Sequence, residues 1–249
     1  MTAMRPYSEK LTELLQKLSA TLGSDTGSVY SEQREVNNVL VVAISSNRGL
    51  AGAFNSNIVK QAKELAGVTY ADKKVDFFTI GKKGNDILSK TGNVAENNNA
   101  IFDHLSFEAT AEIAERLMEL YANGSYDRIV VVYNNFKNAA TQFVLTEQFL
   151  PILPPKESET TSAADYIFEP NKVEIVEGLI PKSLKTQLFK AVLDSHAAEH
   201  GARMTAMDSA SRNAGEMIGD LTLTYNKARQ AYITKELIEI VNGSEVLKA

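Results

Sequence analysis

The sequence predicts an α/β fold in which helices cover a mostly parallel sheet, followed by one very long C-terminal helix. Between Asn37 and Pro170, short continuous apolar runs alternate with helical patterns. Strands of a parallel sheet read this way because helices cover both of their faces. From Pro181 onward, roughly 65 residues carry no further proline and keep small and apolar residues at spacings of three and four. Ahead of both regions, a leucine repeat near the N-terminus ends in a cluster of Gly, Ser and Thr.

The elements follow in chain order. Leu11, Leu14, Leu15, Leu18 and Leu22 form one helical stripe, with Glu9, Lys10, Glu13 and Lys17 off it, so residues 1–24 read as a helix closed by Gly23 and Gly27. VLVVAI (Val39–Ile44) is the first buried strand, and a helix is expected from about Asn55 to Leu65. VDFFTIG (Val75–Gly81) is the second strand, with KKGNDILSK helical behind it. Ser106 to Ala122 sets Ile113, Leu117 and Leu120 on one face, and DRIVVVYNNF (Asp127–Phe136) is the third buried strand. TQFVLTEQFLPI and DYIFEP read as extended, separated by the loop PPKESETTSAA. Residues 37–170 are therefore expected to form the α/β domain.

Residues 171–249 form the third region. Pro181 fits the first turn of a new helix, where its missing N–H costs nothing. From there to Leu247 the helix would run about 100 Å at 1.5 Å per residue, longer than such a domain is wide, so it is expected to protrude. Its seam reads Met207, Ala210, Ala214, Met217, Leu221, Thr224, Ala228, Ala231, Lys235 and Ile238. Such a thin coiled-coil seam lets two helix axes approach closely, with methionines filling irregular gaps. Ile218, Tyr225 and Tyr232 supply a second strip. At the far end, NKARQAYITKELIEIVNG places Arg229, Gln230, Thr234 and Glu236 where a tip would carry recognition chemistry; Arg229 can fork two hydrogen bonds onto a carboxylate. A solvated helix face is the plainer reading of the same charges.

Composition narrows the function classes. The formal net charge of -5 argues against broad nucleic-acid binding, and the absence of cysteine removes disulfides, thiolate nucleophiles and Cys-based zinc sites. No run approaches the length and apolarity of a spanning helix, so membrane association is expected only through partners. SSNRGLAGAFNSN follows the first strand, where α/β folds often bind phosphate, but it has neither the glycine spacing of a dinucleotide fingerprint nor a Gly-Lys-Ser/Thr ending. Tight-turn roles for Gly49 and Gly52 explain it better. His196 and His200 lie one helical turn apart, without the glutamate directly after the first histidine that a zinc peptidase helix needs. Asp165 and Glu169 give no acid/base pair, and no assembled active site is legible.

RPYSEKL, SSNRGLAGAFNSNI, DYIFEP and above all ARMTAMDSASRNAGEMIGDLTLTYNKARQAYITKELIEIVNG closely resemble the gamma subunits of F-type rotary ATP synthases, across essentially the whole chain. The resemblance implies a Rossmann-like α/β domain inserted between the N- and C-terminal helices of an antiparallel coiled coil. It implies a central rotor shaft inside a hexamer of alpha and beta subunits, coupling rotation of the c-subunit ring to the catalytic cycle of the beta subunits. The epsilon subunit and the c ring would lie at its foot. The implied location is peripheral, on the cytoplasmic face of the bacterial inner membrane. No cofactor, metal or catalytic residue is implied, nucleotide chemistry belonging to the beta subunits.

Residue by residue, Arg229 and Gln230 match the pair that hydrogen-bonds a beta-subunit loop, with Thr234 and Glu236 in the same motif and Arg203 opening it. Tyr166, Phe168 and Glu169 match the contact with epsilon and the c ring. Two departures stand out. Family members begin with a further long helix before RPY, so most of the N-terminal strand of the coiled coil is expected to be absent here. Asn47 and Ala51 stand where the family often carries Asp and Cys. Two other readings compete: a nucleotide-binding α/β enzyme with a helical dimerisation arm, and a simple coiled-coil adaptor.

Overall fold

The computed structural model describes residues 6, 7, 10, 11, 29–139, 141–153 and 172–246, with side chains of the last stretch described over 178–244. Most of the predicted N-terminal helix, the loop after Leu153 and the DYIFEP segment lie outside the described residues. The chain divides into two units, Met1–Met204 and Thr205–Ala249.

The first unit is built on a five-stranded sheet of order β3-β2-β1-β4-β5. In chain order its elements are β1 (Asn38–Ile44), α1 (Phe54–Glu64), β2 (Lys74–Ile80), α2 (Lys82–Leu88), β3 (Asn93–Asn98), α3 (Phe107–Ala122), β4 (Arg128–Asn138) and β5 (Thr141–Leu150). α4 (Lys172–Val246) then continues into the second unit. β1 pairs in parallel with β2 and β4, β2 in parallel with β3, and only β5 is antiparallel. The β4–β5 hairpin closes where Asn138 Oδ1 accepts from the Thr141 amide at 2.7 Å.

The apolar run of β1 is continuous because both faces are covered. Val39, Val41 and Ala43 pack with Ile58, Val59 and Ala62 of α1 and with Leu88 of α2. Leu40, Val42 and Ile44 join the opposite core, with Ile113, Leu117 and Tyr121 of α3 and Ile180, Leu184, Leu188 and Val192 of α4. The four α4 residues lie four apart, one ridge of a helix laid on the sheet. α3 starts at Ser106, whose Oγ accepts from the Ala109 amide at 3.2 Å, a side-chain cap.

Three local features differ from the sequence reading. β3 escapes periodicity rules because NVAENN has no apolar run. It is an edge strand held by polar contacts: Asn93 Nδ2 donates to Asp76 at 2.8 Å, Thr79 Oγ1 to Asn97 at 3.1 Å, and Arg116 to Glu96 at 2.7 Å. α1 ends in a wider π turn over Leu65–Thr69. Pro181 begins no helix; it sits inside α4, ten residues in. An interior proline removes one i→i−4 hydrogen bond and crowds the preceding turn, and here flanking Ile180 and Leu184, buried in the core, hold the helix through it.

Gly81 is required by close approach and conformation together. Its φ is 102°, and a Cβ there would overlap the Ser45 carbonyl oxygen where β1 meets β2. Gly81→Ala is expected to destabilise the first unit by about 2 kcal/mol or more, read as a lower urea midpoint; an unchanged midpoint contradicts this account. At the other end of the sheet Tyr126 Oη donates to Asp76 at 3.0 Å, and burial, reinforced by that bond and by the Asp76 charge, pushes the phenol up to about 12. The folded value is raised above the unfolded one. This contribution is therefore complete below about pH 10 and lost as the pH climbs from 10 to 12. Burial also raises Tyr121 and Tyr133, so Tyr126→Phe should flatten part of the alkaline decline in unfolding free energy. A slope identical to that of the parent chain tells against it.

Candidate functional site

The order β3-β2-β1-β4 makes the gap between the carboxyl ends of β1 and β4 a topological switch point, where open α/β sheets commonly bind ligands. Here protein groups fill it. Ala51, on the loop after β1, and Phe54, the first residue of α1, cluster with Ala198 of α4, which is fully buried, and with Phe136 and Ala202. Gly201 belongs to the same fit. A Cβ at this position would come within 3.1 Å of the Phe136 ring and 3.2 Å of Ala139 Cα. The small residues here, Ala198, Gly201 and Ala202, let α4 approach the loop closely.

The backbone amides at the start of α2 are also engaged. At the start of α2, the Lys82 amide donates to Asn47 Oδ1 at 3.0 Å, Lys83 to the Ser46 carbonyl at 2.9 Å and Gly84 to Ser45 Oγ at 2.8 Å. Asn47 uses both ends of its amide, its Nδ2 donating to the Asn99 carbonyl at 2.8 Å. An aspartate at this position would lack that donor. Asn55 Oδ1 accepts from the Ser46 amide at 3.0 Å, and Asn134 Nδ2 donates to the Phe54 carbonyl at 3.3 Å. Leu50 is 76% exposed at φ 60°, and Gly52 has φ 55°, so the loop holds two left-handed corners on either side of Ala51. Leucine in this region costs about 1 kcal/mol or more; the surrounding bonds must hold it there.

Arg203, expected as an outward contact, is engaged inside the first unit. Its guanidinium pairs with Glu199 at 2.7 Å and donates to the Gly49 carbonyl at 3.4 Å, with Arg48 O at 3.5 Å. Glu199 is a functional neighbour that sequence reasoning passed over, although E-x-x-x-R is the standard i,i+4 pairing signal. A further buried polar group docks α4 on the sheet. Asn135 Nδ2 donates to Asp194 of α4 at 3.1 Å, while within the sheet Tyr133 Oη of β4 donates to Glu147 of β5 at 2.6 Å. Burial, then the Glu147 charge, pushes the Tyr133 phenol strongly up.

His196 and His200 come together as their spacing predicts, with Nε2 atoms 3.4 Å apart. The His196 ring stacks on Phe102 at 6.1 Å, and burial, then the neighbouring His200, lowers its pKa.

In the second unit, every described side chain from Met207 to Ser244 is exposed. Met207, Met217, Leu221 and Ile238 of the expected seam form an exposed apolar stripe, while Lys235 pairs with Glu239 at 3.8 Å. Arg229, Gln230, Thr234 and Glu236 are exposed as well, and none has a side-chain hydrogen bond or ion pair among the described residues. At about 100° per residue, Arg229 and Glu236 share one face and Gln230 and Thr234 another, with the seam between them. Tyr166, Phe168 and Glu169 lie outside the described residues. No helix among the described residues is long and apolar enough to cross a membrane.

A family described as ATP synthase matches residues 1–247. The ATP synthase gamma chain of Flavobacterium johnsoniae is 63% identical over 247 residues, covering 99% of this chain and 86% of the relative. That of Cytophaga hutchinsonii is 51% identical over 252 residues, covering 98% and 85%. Among solved structures, the Euglena gracilis mitochondrial ATP synthase (OSCP/F1/c-ring, rotational state 3) contains a chain of the same fold, with TM-score 0.67 and 22% identity over 99% of this chain and 91% of that one. The Tetrahymena thermophila mitochondrial ATP synthase central stalk/c-ring contains another, with TM-score 0.58 and 22% identity over 84% and 98%.

The Arg203–Glu199 pair makes a direct prediction. Arg203→Ala strands a largely buried carboxylate and frees the loop carbonyls, and should lower the unfolding free energy by about 2–3 kcal/mol. In Glu199→Gln the arginine change should cost clearly less. Equal costs in the two backgrounds, measured by urea unfolding, refute the coupling.

Proposed function

The chain belongs to the gamma-chain family of the ATP synthases, and from that membership we propose how its parts divide the work of a central rotor shaft. The observation that carries this reading is the exposed helix of the second unit, with an apolar stripe and two polar faces on one rod. The stripe suits a close helical partner. The polar faces suit the inner wall of a ring of alpha and beta subunits. Arg229 and Gln230, supported by Thr234 and Glu236, hydrogen-bond a loop of a beta subunit, and Arg203, with its inward contacts, opens the same motif. Tyr166, Phe168 and Glu169 meet the epsilon subunit and the c ring. Rotation of that ring is passed through the shaft to the beta subunits, on the cytoplasmic face of the bacterial inner membrane, to which the chain is held only through the complex.

The chain itself does no nucleotide chemistry in this reading. Support comes from the switch-point gap, which Ala198, Gly201 and Phe136 occupy, and from the first amides of α2, which Ser45, Ser46 and Asn47 satisfy. A nucleotide would have to displace α4 to enter. The competing enzyme reading predicts tight binding of ATP or NAD by the isolated chain, which calorimetry measures directly.

Assembly with alpha and beta subunits tests the proposal. Arg229→Ala and Gln230→Ala should each lower ATP hydrolysis by the assembled complex by about tenfold, the loss of a charge-assisted hydrogen bond or two, while leaving the chain's own unfolding midpoint unchanged. Less than a twofold change in both variants removes the beta-loop contact from the proposal.

A further inference from the structure

We propose that His196 and His200 form a two-histidine site for a borderline divalent transition ion, Zn2+ or Ni2+, on the solvent side of α4. The Nε2 atoms are 3.4 Å apart. That is long for a hydrogen bond, since N–H donors mostly sit within about 3.2 Å of an oxygen acceptor. It does match two metal–nitrogen bonds: at about 2.0–2.1 Å each and a tetrahedral angle, the nitrogens span about 3.3 Å. The rings meet edge to face, 4.6 Å between centroids and 79° between planes, so one ion can reach both without stacking the imidazoles. His196 is fixed by its stack on Phe102, and His200 is exposed, which gives the ion a pre-set ligand and an open approach.

The surroundings favour ligation without turning the site into an enzyme. Burial and the adjacent His200 favour neutral His196, the form that binds metal. Glu199 and Arg203 lie nearby with opposite charges, paired at 2.7 Å, so they leave little net field on the ion. No group of three or more His, Asp or Glu that could hold a metal occurs among the described residues. Water therefore completes the coordination, and the site is an exchangeable clip across one turn of α4. The bound ion stabilises the folded first unit by mass action, because the unfolded chain holds the two rings apart.

The test uses the untagged full chain, stripped with EDTA and titrated with NiCl2 or ZnCl2 in a calorimeter. One ion per chain is expected. His200→Gln, at an exposed position, should weaken binding by at least about tenfold, as should His196→Gln, while His104→Gln leaves it unchanged. Cu2+ loaded in place of Ni2+ should show two equivalent nitrogens in its electron paramagnetic resonance spectrum. Unchanged affinity in His200→Gln, binding lost only in His104→Gln, or no binding to the parent chain overturns the proposal. Circular dichroism of each variant separates lost ligation from lost folding.

Discussion

A guanidinium and a carboxylate one helical turn apart hold the carboxyl edge of the sheet in place. Glu199 fixes Arg203, and Arg203 in turn reaches the carbonyls of Gly49 and Arg48 on the loop after β1. That loop turns left-handed at Leu50 and Gly52, delivers Ala51 and Phe54 to the cluster around Ala198, and starts α1. Without the arginine, a strained loop, a helix start and the seat of α4 would each lose the same anchor.

The same geometry decides what the sheet is for. In an open α/β fold, the gap beside the first strand is where a ligand normally enters. This chain spends that gap on its own helix. Ala198 and Gly201 shorten the distance between α4 and the loop, the buried ridge from Ile180 to Val192 lays the preceding turns on the sheet, and Asp194 adds a polar contact to Asn135 of β4. The α/β domain thus seats a helix at its switch point, which suits a part whose task is mechanical.

Much of this was legible because the physics was local. β1, β2 and β4 declare themselves through continuous apolar runs, and α3 through its stripe and Ser106. The small-residue seam of α4 is equally plain, and the motif around Arg229 identifies the family. β3 was invisible since its six residues are held by Asn93, Asn97 and Glu96 rather than by apolar burial. The direction of Arg203 was hidden for a different reason: sequence separation says nothing about a contact 154 residues away. Pro181 misled because a single residue's preference for a first turn is weaker than the burial of Ile180 and Leu184 on either side. Local rules failed wherever tertiary packing outweighed them.

Two polar pairs on the exposed helix diverge around its axis, and that divergence has a consequence for whatever surrounds it. Arg229 with Glu236 and Gln230 with Thr234 point in directions separated by about 130°. A single flat neighbour cannot meet both. An enclosing wall meets them at two azimuths, so the rod is not equivalent to itself after a small turn, and every orientation of it presents the wall with a different arrangement of charge and amide. Direction is thereby written into the helix as a compass bearing, with no change of its own conformation.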